Sequence, residues 1–211
     1  MLQFENIKKY YGSFLALEIP YLSINKGLWW VQGENGSGKT TFLKMIAGLH
    51  PFTGDIILNK KFSLKKQRQQ YIKSVNYAEA EPLYPSFLTA EDLVKLYCYT
   101  KQGNINEARE LLAQLHVYDS YTRPVVSYSS GMIKKLSLTL AFIGQPEIIL
   151  LDEPLITIDT NAIDIICKII KDKHKEGISF IITSHQSIPS DQLLFTKRLA
   201  AENKTITNLV K

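Results

Sequence analysis

Residues Gly33–Thr40 read GENGSGKT. They fit G-x-x-x-x-G-K-[ST], a glycine-rich turn followed by a lysine and a hydroxyl residue. The flanks give the match its weight. The apolar stretch LWWVQ (Leu28–Gln32) precedes it and TTFLKMIAG (Thr40–Gly48) follows, so the turn joins an expected strand to an expected helix. Gly33, Gly36 and Gly38 allow backbone angles that turn successive N–H groups inward as an anion cradle. A helix beginning there adds the positive end of its dipole. Lys39 is expected to reach the β- and γ-phosphates of a nucleotide, and the Thr40 hydroxyl to ligate Mg2+. The candidate binding run is therefore Gly33, Glu34, Asn35, Gly36, Ser37, Gly38, Lys39, Thr40 and Thr41. A glycine-rich turn with a chance lysine would leave both flanks unexplained.

Phosphate binding alone does not name a reaction, because several nucleotide-using classes share this loop. Glu147–Pro154 (EIILLDEP) narrows it. A fully apolar strand delivers Asp152 at its C-terminal end, where ligands sit in open α/β sheets. Asp152 is a candidate to hold Mg2+ through its water shell. Glu153, one residue on, points differently and is a candidate to orient or deprotonate an attacking water, which suits phosphoryl transfer governed by positioning and charge. His185 closes another apolar strand, ISFIITS (Ile178–Ser184). A lone histidine is commonly structural. Here it is expected at the same sheet edge as Asp152, where its ring would sense a γ-phosphate.

The rest of the chain fits one α/β domain. Its 211 residues are 45% hydrophobic and 21% charged, enough for a sizeable core. Strands are expected over Leu2–Ile7, Leu15–Ile24, Gly27–Gln32, Asp55–Leu58 and Ser74–Tyr77. Thr89 and Asp92 form a capping-box pattern ahead of a helix. Ala108, Leu111, Leu112 and Leu115 recur at helical spacing. A helix over Ala162–Lys175 stops at Gly177. Buried strands alternating with helices indicate a parallel sheet covered on both faces, with the helical middle inserted beside it.

The net charge of +5 selects no partner, and the cluster Lys60–Arg68 reads as a solvated face. The two cysteines, Cys98 and Cys167, lack metal spacing and read as buried thiols in a reducing compartment. LQFENI (Leu2–Ile7) lacks the pattern of a secretory leader, and no apolar run reaches the ~18 residues of a membrane helix. The expectation is a soluble, cytoplasmic protein whose membrane part, if any, belongs to another chain.

Taken together, these motifs resemble the ATP-binding cassette ATPases over nearly the whole chain and in the family's order. GENGSGKT resembles the Walker A loop and IILLDE the Walker B strand with its catalytic glutamate. YSSGM (Tyr128–Met132) resembles the signature usually written L-S-G-G-Q, and ITSH the switch-histidine loop. TID (Thr157–Asp159) resembles the D-loop, with Asp159 its aspartate. KKYYG resembles the segment whose aromatic ring stacks on adenine, with Tyr11 better aligned than Tyr10.

The resemblance implies the P-loop NTPase fold of the ABC type. A parallel core sheet flanked by helices would carry an N-terminal antiparallel β subdomain and an inserted helical subdomain. The core would span about 1–78 and 145–211, and the helical signature subdomain about 79–144. It also implies ATP and Mg2+ as cofactors and Glu153, His185 and Lys39 as catalytic residues. Cassettes would pair head to tail as a homodimer or heterodimer, with Ser129, Ser130 and Gly131 of one facing ATP held by the other.

The chain departs from the family at one point that matters. In NYAEAEPLYPSFLT (Asn76–Thr89), Ala80 stands where many members carry a glutamine that reaches Mg2+ and the attacking water. Either Glu79 or Glu81 takes that place, or the arm is lost. The Y-S-x-G-M signature is similar to that of single-cassette exporters, including haem-exporter types. The implied function is the ATPase subunit of an exporter, peripheral on the cytoplasmic face of the membrane and powering a separately encoded transmembrane permease subunit. No nucleic acid is expected as a partner. A soluble cassette acting on nucleic acid or ribosomes, and a non-hydrolysing ATP-binding regulator, are the competing readings.

Overall fold

The computed structural model describes residues 1–185 and 193–209. A hairpin of β1 (Leu2–Tyr11) and β2 (Phe14–Ile24) opens the chain. With β4 (Thr53–Leu58) and β5 (Phe62–Ser63) it forms an antiparallel sheet in the order β2-β1-β4-β5. The main sheet has the order β10-β9-β3-β8-β7-β6. These strands are β3 (Leu28–Gln32), β6 (Val75–Ala78), β7 (Ile148–Asp152), β8 (Ser179–Thr183), β9 (Lys197–Glu202) and β10 (Thr205–Asn208). All its pairings are parallel except β9 with β10.

β7 from Ile148 to Leu151 and β8 from Phe180 to Ile182 are apolar because both their faces are covered. Ile149, Leu151, Phe180 and Ile182 join one cluster with residues of α3 (Ala90–Lys101), α4 (Ile105–Gln114), α5 (Ser130–Ala141) and α6 (Thr160–Lys175). Ile148, Leu150 and Ile181, which point the other way, join a second cluster with α1 (Lys39–Ile46) and the antiparallel sheet. This two-residue alternation is the side-chain period of a strand. Because β3, β7 and β8 run parallel, they end at one edge, and the loops after them carry the phosphate-binding run, Asp152–Glu153 and Ser184–His185.

The expected elements are present, with boundaries moved by tertiary pairing. β1 continues past Ile7 to Tyr11 because its polar end pairs with β2, including an ion pair of Lys8 with Glu18 at 2.9 Å. A register shift at Asn6, with φ 52°, breaks the strict alternation of that strand. The Lys60–Arg68 segment does present exposed lysines. It also contains β5 and leads into a short helix, α2 (Arg68–Lys73), which the sequence pattern did not indicate. α2 is anchored by Tyr71, fully buried one turn in. The capping box of Thr89 and Asp92 is formed. Cys98 and Cys167 are free and buried. Among the described residues no helix is long and apolar enough to cross a membrane.

Candidate nucleotide site

The glycine-rich turn leaves the start of α1 open. Gly38 is its N-cap, with φ 101°, and no side chain caps the helix. A Cβ at Gly38 would also lie 2.9 Å from the Leu17 side chain. The first N–H groups of a helix lack intrahelical acceptors, so this end is free to bind an anion. Lys39 is almost buried, and its ammonium donates to the carbonyls of Gly33 at 2.7 Å and Glu34 at 3.0 Å. The charge is thus held across the loop itself, one side-chain rotation from whatever the loop encloses.

The carboxylates come from the ends of β7 and β8. Asp152 is fully buried. Its Oδ1 accepts from the Thr183 hydroxyl at 2.5 Å and its Oδ2 from the Tyr77 hydroxyl at 3.3 Å. Burial first, then the Asp152 charge, pushes the Tyr77 phenol far above its ordinary pKa, so it stays a donor. The same Thr183 oxygen accepts from the Glu153 N–H at 3.0 Å. Glu153 has φ 46°, a left-handed conformation uncommon outside glycine and a frequent mark of functional sites. Its Oε2 lies 3.0 Å from Nδ1 of His185 and accepts from the His185 N–H at 3.3 Å.

Lys39, Glu153 and His185 meet at a cavity of about 370 Å³, also lined by Asn35, Gly36, Gly38, Thr40, Thr41, Ala80, Glu81 and Ile156; the fully buried Asp152 is not among its lining residues. Of the two acids flanking Ala80, Glu81 lines this cavity. Glu79 instead forms an ion pair with Lys44 at 3.1 Å. Tyr11 stands at the cavity's flank, with its hydroxyl 3.2 Å from the Thr41 hydroxyl. Its half-exposed ring meets the His50 edge at a centroid distance of 5.8 Å, with the Lys9 ammonium 4.4 Å from its centroid.

The YSSGM segment is not among the lining residues. Ser129 caps α5, accepting from the Met132 N–H at 3.2 Å, and Ser130 is exposed beside it. A Cβ at Gly131 would sit 2.9 Å from the Thr157 carbonyl, so glycine is also required there for contact within the chain. Asp159 caps α6 through the Ala162 N–H at 3.0 Å and binds the Lys135 ammonium at 2.5 Å. Lys135, and then the helix N–H, hold its carboxyl at a pKa of about 2. Both Asp159 oxygens are therefore engaged within the chain.

Sequence reasoning missed Lys134. This ammonium is 1% exposed and donates to three backbone carbonyls, of Asp152 at 2.9 Å, Glu79 at 2.8 Å and Ala80 at 3.1 Å. Burial pulls its pKa down to about 8, against the pull of Asp152, Glu153 and Glu81. The available signal was spacing. Lys134 stands four residues before Leu138, on the apolar face of α5, whereas Lys135 does not.

A parallel sheet, an uncapped helix behind a glycine cradle and two strand-end carboxylates define a P-loop nucleotide-binding protein. Residues 20–156 match the family described as ABC transporter. The chain is 30% identical to the linearmycin resistance ATP-binding protein LnrL of Bacillus subtilis, over 88% of this chain and 61% of that protein. It is 30% identical to the lantibiotic transport ATP-binding protein SrtF of Streptococcus pyogenes, over 88% of this chain and 80% of that protein. It is 28% identical to the cytochrome c biogenesis ATP-binding export protein CcmA of Haemophilus influenzae, over 77% and 78% respectively. Among solved structures, an ATP-binding subunit of an ABC transporter superposes with a TM-score of 0.86 at 21% identity, covering 99% of this chain and 90% of that one. A dimeric ATP-binding cassette in a post-hydrolysis state, bound to ADP and Pi, superposes with a TM-score of 0.82 at 18% identity and full coverage of both. The chain belongs to the ABC transporter family and has the fold of its ATP-binding cassettes.

Proposed function

We propose that this chain is the ATP-hydrolysing subunit of an exporter. It would work as a pair of copies beneath a separately encoded transmembrane permease, on the cytoplasmic face of the membrane. The observation that carries this reading is the Glu153–His185 contact at 3.0 Å on a cavity that Lys39 and Thr40 also line. Lys39 would turn from the loop carbonyls to the β- and γ-phosphates while the N–H groups at the start of α1 hold the phosphate oxygens. Glu153 would orient and deprotonate the attacking water, a role worth about 10²–10⁴ in rate. His185 would fix the Glu153 carboxylate and meet the γ-phosphate.

The residues present fit Mg2+. Thr40, Asp152 and the neighbouring acids offer hard oxygen ligands, which suit that ion. Among the described residues, no group of three or more His, Cys, Asp or Glu forms a metal cage. The ion would therefore come with the nucleotide, held by Thr40 and Asp152. When bound, Mg2+ supplies neutralisation of the phosphate charge.

The signature residues Ser129, Ser130 and Gly131 lie outside their own chain's cavity lining, which supports their serving a second copy. Each copy carries both halves of a site, so two copies suffice for two sites. Asp159, fixed to α5 through Lys135, would set the loop between them. A second cavity of about 210 Å³, lined by Leu49, Pro82, Leu83, Tyr84, Tyr97 and Lys101 among others, suits the permease. Leu83 in that lining is 92% exposed, and Phe87, later in the segment between β6 and α3, is 76% exposed. Export is favoured over import because two of the relatives are named for resistance and for export.

Phosphate release by the wild type and by Glu153→Gln tests this reading. Release that depends on Glu153 supports it. A wild type that binds ATP without releasing phosphate would instead be a nucleotide-binding regulator.

A further inference from the structure

Ala80 presents only a methyl group to the cavity, and the two acids beside it have different positions. Glu79 is turned to Lys44 on α1, at 3.1 Å, and lines the permease-side cavity. Glu81 lines the nucleotide cavity with Lys39, Thr40 and Glu153. What fixes this choice is Lys134. Its buried ammonium holds the carbonyls of Glu79 and Ala80, and through the carbonyl of Asp152 it ties that segment to the end of β7. A one-residue slip that brought Glu79 inward would pull Ala78 out of its pairing with Leu151 and re-seat the Lys134 ammonium on other carbonyls. The strand pairing and the buried ammonium together hold the segment in one register.

We infer that Glu81 is a ligand-side residue of the nucleotide site, holding the water shell of Mg2+ and the attacking water with its carboxylate, and that Lys134 is its positioning residue. A carboxylate here does more than an amide would. Near Asp152 and Glu153 it adds a negative charge, which strengthens the hold on the divalent ion and opposes binding of ATP that carries none. The chain should therefore discriminate strongly between Mg·ATP and free ATP. This inference rests on the ATP-binding reading above.

The test is binding of a fluorescent ATP analogue, titrated with MgCl2 in a Glu153→Gln background so that no turnover intervenes. The unaltered Glu81 protein should bind the analogue with a strong Mg2+ dependence. Glu81→Ala should raise the Mg2+ concentration for half-maximal binding about tenfold and bind the analogue in EDTA more tightly than before. Glu81→Gln should recover part of the Mg2+ response without the charge effect in EDTA. Glu79→Ala should change neither. Lys134→Met should reproduce the Mg2+ defect of Glu81→Ala, and adding Glu81→Ala to it should bring little further change. An unchanged Mg2+ response in Glu81→Ala overturns the inference and leaves ATP binding standing. A protein with Glu81 intact that binds no analogue at any Mg2+ concentration removes the ATP reading itself.

Discussion

Nδ1 of His185 lies 3.0 Å from Oε2 of Glu153, and the His185 backbone N–H points at the same oxygen from 3.3 Å. One residue thus grips the candidate base twice, from the end of the neighbouring strand. His185→Ala removes the ring contact and leaves the backbone contact. We expect phosphate release to fall about 10²-fold, towards the lower end of acid–base contributions. ATP affinity should change little. Separate measurements of turnover and of binding distinguish this from simple loss of the site.

Tyr11 offers its ring, and its hydroxyl only meets Thr41. Stacking of a base on an aromatic ring contributes about 1–3 kcal/mol by alanine substitution. Tyr11→Ala should therefore weaken ATP binding about tenfold or more, and Tyr11→Phe should leave it near the wild-type value. Tyr10→Ala should have no such effect. Equilibrium titration of the three variants with a fluorescent ATP analogue measures this.

Lys101 ties the chain before β6 to the end of α3, donating to the Ile72 and Val75 carbonyls at 2.5 and 2.9 Å. Burial lowers its pKa from 10.5 to about 8. Between those values the unfolded chain binds a proton that the folded chain does not, so this group makes stability rise with pH. Below about pH 8 the lysine is charged in both states, and its burial costs stability throughout. Urea midpoints measured at pH 7.5 and 9.5 should rise less in Lys101→Met than in wild type. Lys134, with a similar shift, leaves part of the rise in place.

Much of this was legible in the sequence, and the reasons are local. GENGSGKT needs its glycines wherever it occurs, and an apolar strand ending in Asp-Glu fixes where its acids emerge. The strands of the sheet core were readable because burial on both faces confines polar residues such as Asp152, Ser179 and Thr183 mostly to their ends. What escaped was set by contacts distant in sequence. Lys134 and Lys135 look alike in MIKKL, yet one is buried on three carbonyls and the other holds Asp159 at the surface of α5. Asp159 was read by its motif, and its helix-capping role was not. The order Glu79-Ala80-Glu81 left two acids equivalent until Lys44 and Lys134 distinguished them. α2 has too few apolar residues to show a helical period; the burial of Tyr71, the Arg68 hydrogen bond to the Gly48 carbonyl and the Lys101 ammonium on the Ile72 carbonyl hold it in place.

On the proposed function, a complete ATP site needs a second copy of this chain, contributing Ser129–Gly131. The mass in solution of Glu153→Gln, measured by light scattering with and without Mg·ATP, tests this. The expected result is a monomer without nucleotide and a dimer with it. Adding Ser129→Glu should keep the protein monomeric with ATP still bound, its melting temperature lowered only by the few degrees that loss of the α5 cap costs. A Glu153→Gln protein that stays monomeric when saturated with Mg·ATP, or a Ser129→Glu variant that dimerises as readily, would contradict the claim.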